Sequence, residues 1–266
     1  PLILWRCDLH LAVVNTLALE AAGIGDDTPN PPDGLIERDD RGRPTGILRE
    51  LAINLVRDAI PSPSTLEATR ALKDALAELH RLGLTGIHDV RLMNDQDADL
   101  AFQAWNRLDA DGALDLRCWV TLPGEKLDDA IAKGLQTGVG NDRLQIGHAK
   151  FFADGGMGAR TAWLYEPYLD AQCGMPLTPI EDIKKAIAKA EAAGLGVMIH
   201  AVGDRPNGEL IRLFETLKKK RTQSISKLNS RHIQHRIEHV QMIRPRDIPR
   251  LARTGVAVSV QPHNMV

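Results

Sequence analysis

The chain has 266 residues, a formal net charge of −2, 43% apolar residues and 4% aromatic residues. That length suits one large α/β domain or two small ones, with enough apolar content for a sizeable core. The near-neutral balance gives no electrostatic case for nucleic acid or a membrane surface, and no apolar run approaches the length of a membrane span. Cys7, Cys118 and Cys173 lie far apart with no metal-like spacing, and read as reduced packing residues of a cytoplasmic protein. The chain opens on Pro1 and stops at Val266 just after a strand-like run, so both ends read as cut.

Residues 1–23 start with the apolar PLILW, pass through RCDLH and enter LAVVNTLALEAAG, which reads as a helix stopped by a glycine. PNPPDG is a turn, and GLIERDDRGRPTGILRE reads as a hairpin around Asp40-Arg41-Gly42. Residues 1–60 lack the strand–helix rhythm of the later residues and are expected to form a separate cap or insertion, with residues 61–266 as the main domain. Ser64 and Glu67 predict a capping box for a helix whose buried face carries Leu72, Leu76 and Leu79 and which ends at Gly83. Strands are expected in LTGIHDV, at 114–122, through 149–152, at 196–204, at 235–241 and at 255–262. Between them helices are expected over 96–108, over 126–135, from Thr178-Pro179 with Glu181, over 208–220 and over 246–253, with RTQSISKLNS as a loop. Six strands separated by helices, each apolar enough to be buried on both faces, mean a parallel sheet of the α/β class. Polar residues close strand after strand: His88-Asp89, Lys150, His200, His239 and Gln261-Pro262-His263. A TIM (β/α)8 barrel gathers such ends into one ring, whereas an open sheet scatters several of them. The expected fold is therefore an incomplete TIM barrel, strands two to seven, with strands one and eight outside this chain.

The stretch LQIGHAKFFADGGMGAR (144–160) places Lys150 at the end of an apolar strand, before Asp154 and a glycine-rich turn. Burying an unpaired ammonium is costly, so desolvation lowers a lysine pKa and frees a neutral amine. Two readings are open: Lys150 paired with an acid such as Asp154, or Lys150 carbamylated by carbon dioxide. His80, in the last turn of a helix, is structural. His232 and His235 read as surface residues or as residues behind a site, and His148, one layer deeper than Lys150, as core packing. Glu238 alternates with His239 and reads as structural on the opposite strand face, and Asp204 as fixing its turn. One histidine at a strand end is more often a satisfied core residue than a ligand. Two of them, His200 and His239, entering the same barrel mouth as a buried lysine, favour a metal site.

The segments AKFFADGGMGARTA, IHAVGDRPN, HRIEHVQ and VSVQPHN, in this order and spacing, resemble the amidohydrolase superfamily. More narrowly they resemble its amidohydrolase 3 branch, the YtcJ-like metal-dependent hydrolases that include N-substituted formamide deformylases. RCDLHLAVVNTLAL and IERDDRGRPTGILRE resemble that branch's segment between strands one and two. The resemblance implies that Lys150 is carbamylated to bridge divalent metals and that His200 and His239 are ligands, with one or two ions, zinc first. His10 and Asn15 match that branch's cap motif and are expected to face the pocket of a small amide-type substrate, as is His263 from the strand-seven end. Asp154 and Arg160, in the loop after strand four, are expected to orient Lys150 or contact the substrate, and His88, undecided on position alone, is placed with the substrate contacts. For Asp154 and Arg160 a plain loop salt bridge remains the alternative. The family's strand-one His-x-His pair and strand-eight aspartate fall outside the chain, and Gly156 and Ala159 stand where the family often has serines. The implied activity is hydrolysis of an amide or other non-peptide C–N bond, with this chain alone expected to be inactive. A non-catalytic binding or regulatory barrel is the alternative, and a Schiff-base lyase using Lys150 is disfavoured because it gives His200 and His239 no purpose. No nucleic acid or membrane partner is expected, and the exposed sheet edges are compatible with a homodimer.

Overall fold

The computed structural model describes residues 1–7, 9–32, 34–90, 95–223 and 233–262. Its first part is an antiparallel sheet of β1 (Ile3–Trp5), β2 (Leu11–Val14), β3 (Gly34–Arg38) and β4 (Pro44–Glu50), in the order β1-β2-β4-β3. The hairpin between β3 and β4 turns at Asp40-Arg41-Gly42 as expected, with Gly42 at φ +79°. The helix expected from Leu11 onward is shorter. Leu11–Val14 is a strand because it is paired on both sides, by β1 and by β4. Helix α1 (Thr16–Ala21) begins only at Asn15, whose side-chain oxygen accepts from the Ala18 N–H. With α2 (Ala52–Arg57), this sheet closes its own small core of Ala12, Val14, Leu19, Ile36, Leu48, Ile53 and Val56.

The remainder alternates strand and helix. Helix α3 (Thr65–Arg81) carries the expected capping box, Ser64 accepting from the Glu67 N–H while the Glu67 carboxylate accepts from the Ser64 N–H. After it come β5 (Gly86–Asp89), α4 (Asp95–Ala110), β6 (Arg117–Pro123), α5 (Leu127–Ala132), β7 (Leu144–Phe152), α6 (Ile180–Ala192), β8 (Gly196–Ala201), α7 (Asp204–Gln223), β9 (Arg236–His239), α8 (Ile248–Thr254) and β10 (Ala257–Ser259). Several boundaries differ from expectation: the strands expected at 114–122, 196–204 and 255–262 are shorter, at Arg117–Pro123, Gly196–Ala201 and Ala257–Ser259, and the helix expected over 126–135 ends at Ala132. Helix α7 starts four residues early, at Asp204, and α6 is entered through Pro179 without a side-chain cap bond. The strands β5 to β10 form one parallel sheet in strictly sequential order. It is a curled half-barrel with helices on its outer face. Between sheet and helices Ile183, Ile187, Leu195, Ile199 and Leu210 are fully buried, each contributing about 1.5–3 kcal/mol of hydrophobic stabilisation. Among the described residues no helix is long and apolar enough to cross a membrane.

One irregularity sets the direction of the central strand. The pairing of β6 with β7 shifts register between Val120 and Leu122. Before the shift Leu144 and Ile146 pack outward among core residues; after it Ala149 and Ala153 do so, which turns His148, Lys150 and Phe152 inward. Bulges re-aim side chains in this way beside functional sites.

Candidate active site

Lys150 stands on the inner face of β7, in register with Met198 of β8, which in turn pairs with Arg236 of β9. One layer nearer the strand ends come Phe152, His200 and Glu238, again in register. His239 pairs with the outward-facing Ala201, so plain alternation would send it toward the helices. Its backbone and that of Val240 are instead left-handed, at φ +77° and +44°, and its ring lies 4.5 Å from the His200 ring, edge to face. The same turn lets Glu238 remain inside beside Arg236, whose Nε donates to Oε1 at 2.9 Å. The expectation that Glu238 faces away from the site is thereby overturned: it is buried on the His200 face, and its charge acts on Lys150.

The ring nitrogens are committed in a definite way. His200 Nε2 faces the Gly155 carbonyl oxygen at 3.1 Å, so that nitrogen carries the proton and Nδ1 the lone pair. That Nδ1 is buried with no hydrogen-bond partner. His239 Nδ1 donates to Gln261 Oε1 at 2.7 Å, which leaves the lone pair on Nε2. Burial lowers both imidazole pKa values, that of His200 well below the ordinary range, and Lys150 lowers them further. Both rings are therefore neutral at pH 7, the form that binds metals. Lys150 is 2% exposed; its Nζ sits 4.4 Å from the Phe152 ring centroid and has no hydrogen-bond partner. Burial lowers its pKa to about 7, against the opposing pull of Glu238.

Asp154 does not pair with this lysine. It is 0% exposed, and its carboxylate accepts the backbone N–H of Val202 at 2.9 Å and those of Gly203 and Trp163 at 2.8 Å. Burial raises its pKa to about 6, opposed by these three donors. Asp154 ties the turn after β7 to the turn after β8, 3.8 Å from His200 Nε2. Of the two readings of Lys150, the ion pair with Asp154 is absent.

His10 reaches the same place from the antiparallel sheet. Its ring lies 5.4 Å from that of His200, and its Nδ1 is 2.8 and 3.0 Å from the two oxygens of Glu50. The other expected substrate contacts lie elsewhere. Asn15 is spent on capping α1 and on the Leu2 N–H. Arg160 forms a two-bond ion pair with Asp170 in an exposed loop, the salt-bridge alternative. His88 is exposed, stacks on Trp119 and receives a hydrogen bond from Arg236 at 3.1 Å. His263 and His232 lie outside the described residues. His235 is buried rather than superficial, with Nε2 2.6 Å from Glu191 and Nδ1 accepting from the Val197 N–H. Sequence reading missed Glu50, although β4 buries Gly46, Leu48 and Glu50 on one face, and an acid in an apolar phase is a readable signal.

The donors assembled here are two imidazole lone pairs and a buried amine. Among the described residues no three His, Cys, Asp or Glu side chains gather as a metal cluster. A cation fits this set only if Lys150 supplies an anionic oxygen, as a carbamate does.

Comparison with known proteins shows the family. The amidohydrolase family matches residues 1–266. The putative amidohydrolase YtcJ of Bacillus subtilis is 33% identical over 99% of this chain and 48% of its own length. Protein LONG AFTER FAR-RED 3 of Arabidopsis thaliana is 30% identical over 100% of the chain and 46% of its own length. N-substituted formamide deformylase of Arthrobacter pascens is 34% identical over 43% of the chain and 21% of its own length. An uncharacterized metal-dependent hydrolase from Pyrococcus horikoshii superposes with a TM-score of 0.75 at 28% identity, covering 100% of this chain and 50% of that one. The chain thus spans about half the length of the first two relatives. A parallel half-barrel with two histidines and a lysine at its strand ends, matched from first residue to last, makes the chain a member of the amidohydrolase family.

Proposed function

We propose that this chain carries one half of the catalytic centre of a metal-dependent hydrolase acting on an amide or other non-peptide C–N bond of a small molecule. The observation that carries this reading is the pair of orphaned atoms, Lys150 Nζ and His200 Nδ1, buried without hydrogen-bond partners on adjacent strands, with the His239 ring 4.5 Å from that of His200. Native interiors rarely leave such groups unsatisfied, and a missing ion is a standard reason when they do. Lys150, as a neutral amine, adds to carbon dioxide: the N–C bond forms, one proton leaves, and an anionic carboxyl group results. With His200 and His239 it would then hold a divalent cation, zinc being the ion best matched to imidazole and oxygen donors. When bound, the cation supplies Lewis acidity toward a carbonyl and toward water. The protein's own groups have separate tasks. Asp154 fixes the two turns, Phe152 and Glu238 wall the lysine, and His10 contacts the substrate from the antiparallel sheet, which acts as a cap over the barrel mouth.

A second reading, a non-catalytic barrel, draws on the 30% identity to LONG AFTER FAR-RED 3, whose name gives no reaction. Metal analysis of the intact protein, followed by a screen of amides that includes N-alkylformamides, separates the two. Stoichiometric metal with turnover of at least one amide supports the hydrolase; metal-free protein without turnover supports the binding protein.

A further inference from the structure

Five non-glycine residues among those described have left-handed backbones: Leu9, Glu50, Arg160, His239 and Val240. Such conformations are strained and persist where the surrounding structure over-determines them. His239 and Val240 belong to the site already described. The other three converge on one further group. Leu9 precedes His10, Glu50 holds His10, and Arg160 precedes Thr161, whose hydroxyl donates to Glu50 Oε1.

The glycine-rich turn after β7 is the surface on which this group rests. A Cβ at Gly155 would fall 2.7 Å from Glu50 Oε1, and one at Gly156 would fall 2.9 Å from His10 Cδ2. A Cβ at Gly158 would meet the Arg6 guanidinium at 2.5 Å. The Thr161 hydroxyl also accepts the Gly156 N–H at 3.0 Å, so the turn and the antiparallel sheet are joined through Glu50. Glu50 is buried, its own N–H donates to the His10 carbonyl at 3.1 Å, and Gly155, whose lack of a side chain leaves room for its carboxylate, supplies the carbonyl that orients His200.

We propose that Glu50 is a positioning residue of the active centre. Its carboxylate clasps His10 Nδ1 and the Thr161 hydroxyl, latches the antiparallel sheet onto the bare Gly155-Gly156 backbone, and fixes the His10 imidazole against the His200 ring, where it meets the substrate. The proposal rests on the reading of Lys150, His200 and His239 as the metal-holding set, but assigns Glu50 no part in holding metal. Glutamine at 50 keeps an oxygen for the His10 N–H but offers an NH₂ group where Thr161 needs an acceptor, so it restores only part of the function.

The test uses the intact zinc-loaded protein with Glu50→Ala and Glu50→Gln. Three quantities are read: zinc stoichiometry, kcat and KM on an N-alkylformamide, and the His10 ring resonances in protein carrying ¹⁵N-histidine, assigned with His10→Gln. The expected result is unchanged zinc, a fall in kcat/KM of at least tenfold for Glu50→Ala, partial recovery in Glu50→Gln, and displaced His10 resonances in both. Loss of zinc together with activity would overturn the proposal, as would kcat/KM within twofold of the parent. Should Glu50→Ala not fold, Glu50→Gln carries the same criteria. If the parent hydrolyses no amide, the hydrolase reading fails by itself, and unmoved His10 resonances in Glu50→Gln would independently overturn the positioning role.

Discussion

Asp154→Asn perturbs the site without removing any proposed metal donor. The Asp154 carboxylate accepts three backbone N–H groups, two at Oδ2 from Gly203 and Trp163 and one at Oδ1 from Val202. An asparagine has one oxygen. In its better orientation it keeps the two bonds at the Oδ2 position and turns an NH₂ group toward the Val202 N–H, donor against donor. Hydrogen bonds to a charged group contribute about 1.5–3 kcal/mol, and the donor left buried costs about 1–3 kcal/mol more. The two retained bonds also weaken with the loss of charge. Burial, which raises the carboxylate's pKa to about 6, no longer penalises a charge in the neutral variant and offsets part of this loss, leaving a destabilisation of about 1–3 kcal/mol, or roughly 2–12 °C in melting temperature for a chain of this size. Thermal unfolding of wild type and variant by circular dichroism at pH 8 measures it. An unchanged or higher melting temperature would refute the view that this buried carboxylate knits the two turns together.

Other expectations concern independent parts of the molecule. Asp247, shut off from solvent, is raised by burial but held below its ordinary pKa by hydrogen bonds from Arg244 and Arg250. A depressed carboxylate stabilises the fold above its unfolded pKa and loses that contribution as the pH falls through its folded value. Asp247→Asn should therefore lower the melting temperature at pH 7, by about 4–12 °C for a loss of 2–3 kcal/mol, and the gap should close on acidification toward pH 3; a gap independent of pH would contradict the assignment. Cys118 is 1% exposed, and burial pushes its thiol pKa up to about 11, whereas Cys7 is exposed. Native protein treated with iodoacetamide at pH 8 should be alkylated at Cys7 and spared at Cys118 until it is unfolded, as peptide mass mapping would show.

Much of this architecture was legible from pattern alone. The six parallel strands announced themselves as apolar runs between capped helices, and the Ser64–Glu67 box and the hairpin at Gly42 obey local rules that tertiary contacts leave intact. Leu11–Val14 was misread because LAVVNTLALEAAG has helical composition throughout, and only pairing with β1 and β4 makes its first four residues a strand. At the site, Lys150, His200 and His239 could be read because a polar residue ending an apolar strand is conspicuous. Glu238 could not, since alternation presumes an ordinary backbone and the left-handed turn at His239 and Val240 breaks it. Glu50 escaped for another reason. Its partners, His10 and Thr161, are 40 and 111 residues away, and no spacing rule reaches that far.

The claim on which the functional account turns is that Lys150 holds metal. Its most direct test is the zinc content of the intact protein, wild type against Lys150→Ala, by elemental analysis after growth in zinc and extensive dialysis. The account predicts stoichiometric zinc in the wild type and at least a tenfold loss in the variant. It further predicts that added bicarbonate restores nothing, while a short carboxylic acid such as acetate returns part of the zinc by supplying the missing oxygens. Full zinc content in Lys150→Ala without any added acid would contradict the account and reduce Lys150 to a buried amine beside a metal site made by other residues.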